Sequence, residues 1–131
     1  MCVFLGKILH LTRAYTMINK LYDIITQGKS NAKKAFAVLI DPDKINEQSL
    51  TQTIDIAVKS KVDYFFVGGS LVVTDTLDTV VASIKEQCNI PVILFPGSPD
   101  QITPKADALL YLSLISGRNA ELLIGQHVIS A

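Results

Sequence analysis

A chain of 131 residues has the length of one domain. Twelve basic residues balance twelve acidic ones and Trp is absent, so neither nucleic acid nor an acidic membrane is an expected partner. No apolar run approaches the roughly 20 residues of a membrane span, so no integral membrane segment is expected. Cys2, Cys88, His10 and His127 leave little from which to build a zinc site or a Ser-His-Asp triad, and two isolated cysteines suit free thiols in the cytoplasm.

Residues 1–16 read as an N-terminal extension, either native or the product of a misplaced start before Met17; a signal or transit segment fits less well, with Lys7 interrupting the apolar stretch and no small-residue cleavage pattern following. The spacing of Ile18, Leu21 and Ile25 predicts an amphipathic helix over residues 17–27, with Gly28 as its stop. A polar linker leads to "AFAVLI" (35–40), an unbroken apolar run expected to form a strand buried on both faces. Leu50, Ile54, Ala57 and Val58 then fall on one helical stripe. "DYFFVGG" (63–69) is the second strand. Leu77, Val80, Val81, Ile84 and Cys88 mark the second helix of this rhythm, and "IPVILF" (90–95) the third strand. "PGSPDQITPK" is rich in turn residues and leaves room for only a short helix. "ALLYLSL" (108–114) is the fourth strand, and "GRNAELLIGQHVISA" closes as a helix capped by Asn119.

Strand and helix thus alternate four times, which predicts an α/β fold with a parallel sheet covered on both faces. No G-x-G-x-x-G follows the first strand, so a dinucleotide-binding reading lacks its main support. The polar residues gather after the strands: Asp41, Asp43 and Lys44; then Gly68, Gly69 and Ser70; then Pro96, Gly97 and Ser98; then Ser116, Gly117, Arg118 and Asn119. The opposite strand ends are preceded by plain linkers. In parallel α/β folds the carboxyl ends of the strands share one rim, and that rim carries the site.

The chemistry this suggests is a phosphate held through Mg²⁺. A small hard cation takes one or two protein oxygens and completes its octahedron with water and substrate phosphate. Asp41 offers a carboxylate and Ser70, after the neighbouring strand, a hydroxyl. Gly68 and Gly69 permit close backbone approach to a phosphate. Taken singly, Asp-Pro-Asp-Lys also reads as a turn and a helix start, Gly-Gly-Ser as a turn, and Pro-Gly-Ser-Pro as a rigid loop. Arg118 also reads as a surface cap, Cys88 as a core residue and His127 as a surface residue.

Four joined segments carry a resemblance: "VLIDPDK", "VDYFFVGGSLVVTD", "IPVILFPGSPDQIT" and "ADALLYLSLISGRNAELLIGQHV". Over residues 17–131 the chain resembles the geranylgeranylglyceryl phosphate synthase family, in its bacterial, Bacteroidetes-type branch. The resemblance implies a TIM-type (β/α) barrel of which about four of eight units are present. It implies a Mg²⁺-dependent prenyl transfer, in which the C3 hydroxyl of sn-glycerol 1-phosphate attacks C1 of geranylgeranyl diphosphate to give an ether-lipid precursor. It places the metal on Asp41 and Ser70, leaves Gly68, Gly69, Gly97 and Ser98 as candidate substrate contacts, and has apolar barrel-lining side chains hold the prenyl chain. Some relatives carry Lys two residues before the metal Asp, where this chain has Leu39, and many carry Pro where it has Ala120.

The family's glycerol-phosphate motifs belong to the second half of the barrel and do not occur by Ala131. The chain is therefore expected to be an inactive N-terminal half, whose open sheet edges favour a homo-oligomer. Two other functions fit the same letters. One is a non-catalytic half-barrel that self-associates. The other is a different phosphate-binding barrel enzyme, an isomerase or aldolase, with Asp43 and Lys44 as the nearby acid–base groups.

Overall fold

Four short strands lie parallel in the order β1-β2-β3-β4. They are β1 (Ala37–Ile40), β2 (Tyr64–Val67), β3 (Val92–Leu94) and β4 (Ala108–Leu109). Sequential neighbours with right-handed crossovers are the arrangement from which a TIM-type barrel is built. The architecture is described from a computed structural model, for residues 20–69, 76–110, 119–125 and 128. The expected extension 1–16 lies outside the described residues, as do Cys2, His10 and His127. The chain forms two compact units, residues 1–35 and 36–131.

In the first unit, α1 is helical over the described residues 20–30 and so runs past Gly28, the expected stop. The termination comes later because Ala32 takes the left-handed turn (φ 52°). The Lys33 N–H then donates to the Gly28 carbonyl at 2.9 Å and the Ala32 N–H to that of Lys29 at 3.1 Å, a Schellman motif.

In the second unit, α2 (Glu47–Lys59) starts where Asn46 caps it, its side-chain oxygen accepting from the Ser49 N–H at 2.8 Å. It ends in a second Schellman motif, with Lys61 left-handed (φ 56°) and the Val62 N–H on the Ala57 carbonyl at 3.0 Å. Leu50, Ile54 and Ala57 are buried as expected, but Val58 is 48 % exposed. One residue beyond Ala57 is a step of about 100°, which carries Val58 off the stripe. α3 (Thr76–Gln87) buries Leu77, Val80, Val81 and Ile84, and Cys88 packs partly buried against the core as a free thiol.

The strand register divides the side chains between two faces. Val38 and Ile40 pair with Phe65 and Val67, and these with Val92 and Leu94; together they form the core with α2 and α3. On the other face Leu39 pairs with Phe66, and Phe66 with Ile93. β3 is buried throughout, as the apolar run predicts, but Leu39 on β1 is 56 % exposed. The expectation of burial on both faces therefore fails at β1, which pairs with β2 alone among the described strands. Between β3 and β4 the chain makes bends and turns without a helix, where a short helix had room.

The linkers before the strands are not plain. Asp63 precedes β2: its Oδ2 accepts from the Phe36 N–H at 2.8 Å, and its own N–H donates to the Phe36 carbonyl at 2.9 Å. Asp107 precedes β4 and repeats the device on Val92, at 2.8 and 2.9 Å. Lys85 from α3 adds its ammonium to both Asp107 oxygens at 2.7 Å. Each Asp extends the ladder by a residue at the edge opposite the rim. Lys61-Val62-Asp63 and Lys105-Ala106-Asp107 stand directly before the two strands, and neither triplet marks its Asp as a partner for the backbone.

Strand 4 was expected to reach residue 114; residues 111–118 lie outside the described residues. The closing α-helix is, over Glu121–Gly125, a π-helical turn, with Asn119 accepting from the Glu121 N–H at 3.0 Å near its start. Among the described residues no helix is long and apolar enough to cross a membrane.

Candidate functional site

The register brings the ends of β1, β2 and β3 to one level. Ile40 pairs with Val67 and Val67 with Leu94, so Asp41, Gly68 and Phe95 leave the sheet side by side. The ladder continues one step into this rim. The Gly68 N–H donates to the Ile40 carbonyl at 3.1 Å and the Phe95 N–H to the Val67 carbonyl at 2.8 Å.

Gly68 has φ +152°, a conformation open to glycine and strained for other residues. A Cβ there would overlap the carbonyl oxygen of Phe95. The missing side chain lets β3's exit pack directly against β2's exit. It also fixes Phe95, whose ring stacks on Phe66 with centroids 6.0 Å apart. Phe66 lies on the sheet face that bears Leu39, so the rim opens onto apolar surface.

Gly69 stands against Asp41. A Cβ on it would lie 3.1 Å from Cγ, Oδ1 and Oδ2 of the Asp41 carboxylate. The carboxylate is thus delivered by β1 against the backbone of Gly69 after β2, a close approach that the missing side chain permits. Asp41 also organises its own loop. Its Oδ1 accepts from the Asp43 N–H at 3.2 Å, its carbonyl from the Lys44 N–H at 3.1 Å, and its Oδ2 from the Lys44 ammonium at 2.7 Å. Asp-Pro-Asp-Lys is therefore a turn leading to a helix start, as its simplest reading has it, and it also presents a rim carboxylate. The Lys44 hydrogen bond holds the Asp41 carboxyl below the usual carboxylate range, against the opposing pull of partial burial; the same bond raises Lys44.

Asp43 reaches across to α3, where the Thr76 hydroxyl donates to its Oδ1 at 3.4 Å. After β3, the Gly97 N–H donates to Oε1 of the buried Gln101 at 2.8 Å, and the Ser98 carbonyl accepts from the Gln101 N–H at 3.2 Å. Gln101 is a residue the sequence reading missed: a polar side chain among turn residues gives no sign that it will be buried to tie a loop. Ser70, Ser116, Gly117 and Arg118 lie outside the described residues. A groove between α2 and α3, lined by Asn46, Leu50, Thr79 and Ser83 among others, lies on the helical layer rather than on the sheet face below the rim.

The donor set at the rim suits a hard divalent cation only in part-coordination. Asp41 gives an oxygen ligand, and it packs against Gly69 so closely that even one methyl group there would crowd it. Among the described residues no cluster of three or more His, Cys, Asp or Glu side chains forms a full cage. One or two carboxylates plus water and phosphate is the usual protein share for Mg²⁺, so the residues present fit that ion.

Comparison with known proteins accords with this geometry. Residues 29–131 match the model of the PcrB family. The chain is 56 % identical over 115 residues to a geranylgeranylglyceryl phosphate synthase of Chitinophaga pinensis, covering 88 % of this chain and 46 % of that protein. It is 36 % identical over 107 residues to the protein of the same name from Picrophilus torridus, covering 81 % and 43 %. Among solved structures, (S)-3-O-geranylgeranylglyceryl phosphate synthase from Thermoplasma acidophilum, in complex with sn-glycerol-1-phosphate, matches with a TM-score of 0.68 and 33 % identity, over 75 % of this chain and 40 % of that one. Wild-type GGGPS from Thermoplasma volcanium matches with a TM-score of 0.66 and 34 % identity, over 72 % and 39 %. The chain spans somewhat less than half the length of these relatives. With a parallel sheet of four strands, their exits level at one rim, and a family match over most of its length, this chain belongs to the PcrB family and carries about four of the eight units of a TIM-type barrel.

Proposed function

We propose that the chain is the N-terminal part of a prenyltransferase that joins the C3 hydroxyl of sn-glycerol 1-phosphate to C1 of geranylgeranyl diphosphate, with loss of diphosphate. The observation that carries this reading is the Asp41 carboxylate seated against Gly69 at the rim of a parallel sheet, in a chain whose relatives bear that enzyme's name. Asp41 and Ser70 would hold Mg²⁺. When bound, the ion would offset the negative charge that grows on the diphosphate as the allylic C–O bond breaks. Gly68 and Gly97 would serve by allowing close approach of the backbone, since their N–H groups are already engaged. Gly69 and Ser98 would border the phosphate, and the apolar face with Leu39 and Phe66 would carry the prenyl chain.

The same reading puts the reaction in the cytoplasm, which the free thiol of Cys88 suits. It also has the protein act as a homo-oligomer, which sedimentation velocity reads directly. Because the glycerol-phosphate motifs belong to the other half of the barrel, the chain alone should not turn over. The test is a transfer assay with labelled geranylgeranyl diphosphate and each enantiomer of glycerol phosphate. It is run on the chain alone and on the chain joined to the remaining half of the Chitinophaga pinensis relative. Mg²⁺-dependent ether formation with sn-glycerol 1-phosphate is expected from the joined protein, with loss in Asp41→Ala and Ser70→Ala. Undiminished transfer in both variants would end the metal assignment, and turnover by the chain alone would overturn the half-site reading.

A further inference from the structure

The Asp41 carboxylate already has a cation on it. Lys44 places its ammonium 2.7 Å from Oδ2, so one of the two carboxylate oxygens is already engaged by a positive charge. The other oxygen, Oδ1, accepts from the Asp43 N–H at 3.2 Å, a bond within the loop itself. The two partners differ in how firmly they are held. The Asp41 side chain is 22 % exposed, whereas that of Lys44 is 80 % exposed and stands on a four-carbon stem in water. Lys44 can therefore leave without disturbing the fold, and Asp41 cannot. Gly69 abuts the carboxylate so closely that a Cβ there would lie 3.1 Å from each of its atoms, inside ordinary contact distance, which pins Asp41 further.

We propose that Lys44 is the resident counter-cation of Asp41, and that a divalent ion takes Asp41 by displacing its ammonium. It rests on the metal role given to Asp41 above and adds a competitor to it. The sequence supports the mechanics: Lys44 sits three residues after Asp41 in a turn, close enough to pair at no loop-closure cost and free to swing away. The exchange has a consequence of definite sign. Removing Lys44 strips away a pair that the metal must otherwise break, and also a positive charge that repels it. Divalent-ion affinity should rise, not fall, when this rim residue is neutralised. An exposed ion pair sets the scale at about a two- to five-fold change in the dissociation constant.

The test is titration with Mn²⁺ in the absence of substrate, followed by the loss of its free-ion electron paramagnetic resonance signal. It compares the wild-type chain with Lys44→Gln, Asp41→Asn and Lys59→Gln, with circular dichroism to establish that each variant is folded. Lys59 is also exposed, but it pairs with Asp55 at the opposite end of α2 and reports the general effect of removing one positive charge. The expected result is tighter binding in Lys44→Gln, unchanged binding in Lys59→Gln, and loss of the site in Asp41→Asn. If Asp41→Asn abolishes binding while Lys44→Gln leaves it unchanged or weaker, Lys44 is not a competitor and the inference fails alone. An equal gain in Lys59→Gln would reduce the effect to bulk charge and also overturn it. If Asp41→Asn binds Mn²⁺ as the wild type does, the metal reading itself falls, and the inference with it.

Discussion

Asp63 and Asp107 make the same pair of backbone hydrogen bonds, yet removing them should cost very different amounts. At Asp107 the amide that would lose its acceptor belongs to Val92, a residue with no exposed surface. A buried N–H left without a partner costs about 1–3 kcal/mol. The Asp107 side chain is only 12 % exposed and holds the Lys85 ammonium through both oxygens. Lys85 is one-third exposed and recovers part of that loss from water. Asp107→Ala should therefore destabilise the fold by about 3 kcal/mol. Asp107→Asn keeps an oxygen for the Val92 N–H and should cost about 1 kcal/mol. At Asp63 the amide belongs to Phe36, which is 61 % exposed, so water replaces the lost acceptor. Asp63→Ala should cost about 0.5–1 kcal/mol. Equilibrium urea unfolding, followed by far-UV circular dichroism, measures all three. Equal costs at Asp63 and Asp107, or a cost below about 1 kcal/mol for Asp107→Ala, would refute the reasoning that burial of the orphaned donor sets the penalty.

Gly68→Ala combines a strained φ with an overlap on the Phe95 carbonyl, and should cost about 3 kcal/mol or more, read as a lower urea midpoint. Lys61→Gly should raise stability by about 1 kcal/mol in the same assay, because glycine carries the left-handed turn after α2 without the Cβ penalty. Asp78 is held below the usual carboxylate range, first by the Thr103 hydroxyl and then by Lys105, whose ammonium lies 3.1 Å away. Its contribution to stability is therefore complete above about pH 4, the ordinary carboxylate value, and is lost as the pH falls through its depressed pKa. Asp78→Asn should flatten the acid limb of the stability profile over that window, and an unchanged limb would count against the pairing.

The strands and helices were legible because apolar runs and helical stripes report burial directly. "AFAVLI" and "IPVILF" contain β1 and β3, and Leu50, Ile54 and Ala57 mark the buried side of α2. The rim was legible for a topological reason: parallel strands send their carboxyl ends to one side, so Asp41 and Gly69 had to emerge together. Side-chain bonds to the backbone were not legible. Nothing in the letters distinguishes the Asp before β2 or β4 from a solvated linker residue, nor marks Gln101 for burial. Helix ends were misplaced for a related reason. Gly28 offered the favoured residue for a stop, but Ala32 took the left-handed conformation at a cost that the hydrogen bonds of the motif offset. The exposure of Leu39 follows from β1 having a partner on one side only among the described strands, which no local pattern encodes.

The central claim is that β1 and β2 deliver one carboxylate and one hydroxyl to the same divalent ion. Crystals of the chain joined to the remaining half of a relative, soaked with Mn²⁺ and pyrophosphate, would test it by anomalous diffraction. A single peak within about 2.2 Å of both an Asp41 oxygen and Ser70 Oγ is the predicted result. A peak that touches neither residue, or coordinates showing Ser70 on the sheet face away from Asp41, would contradict it.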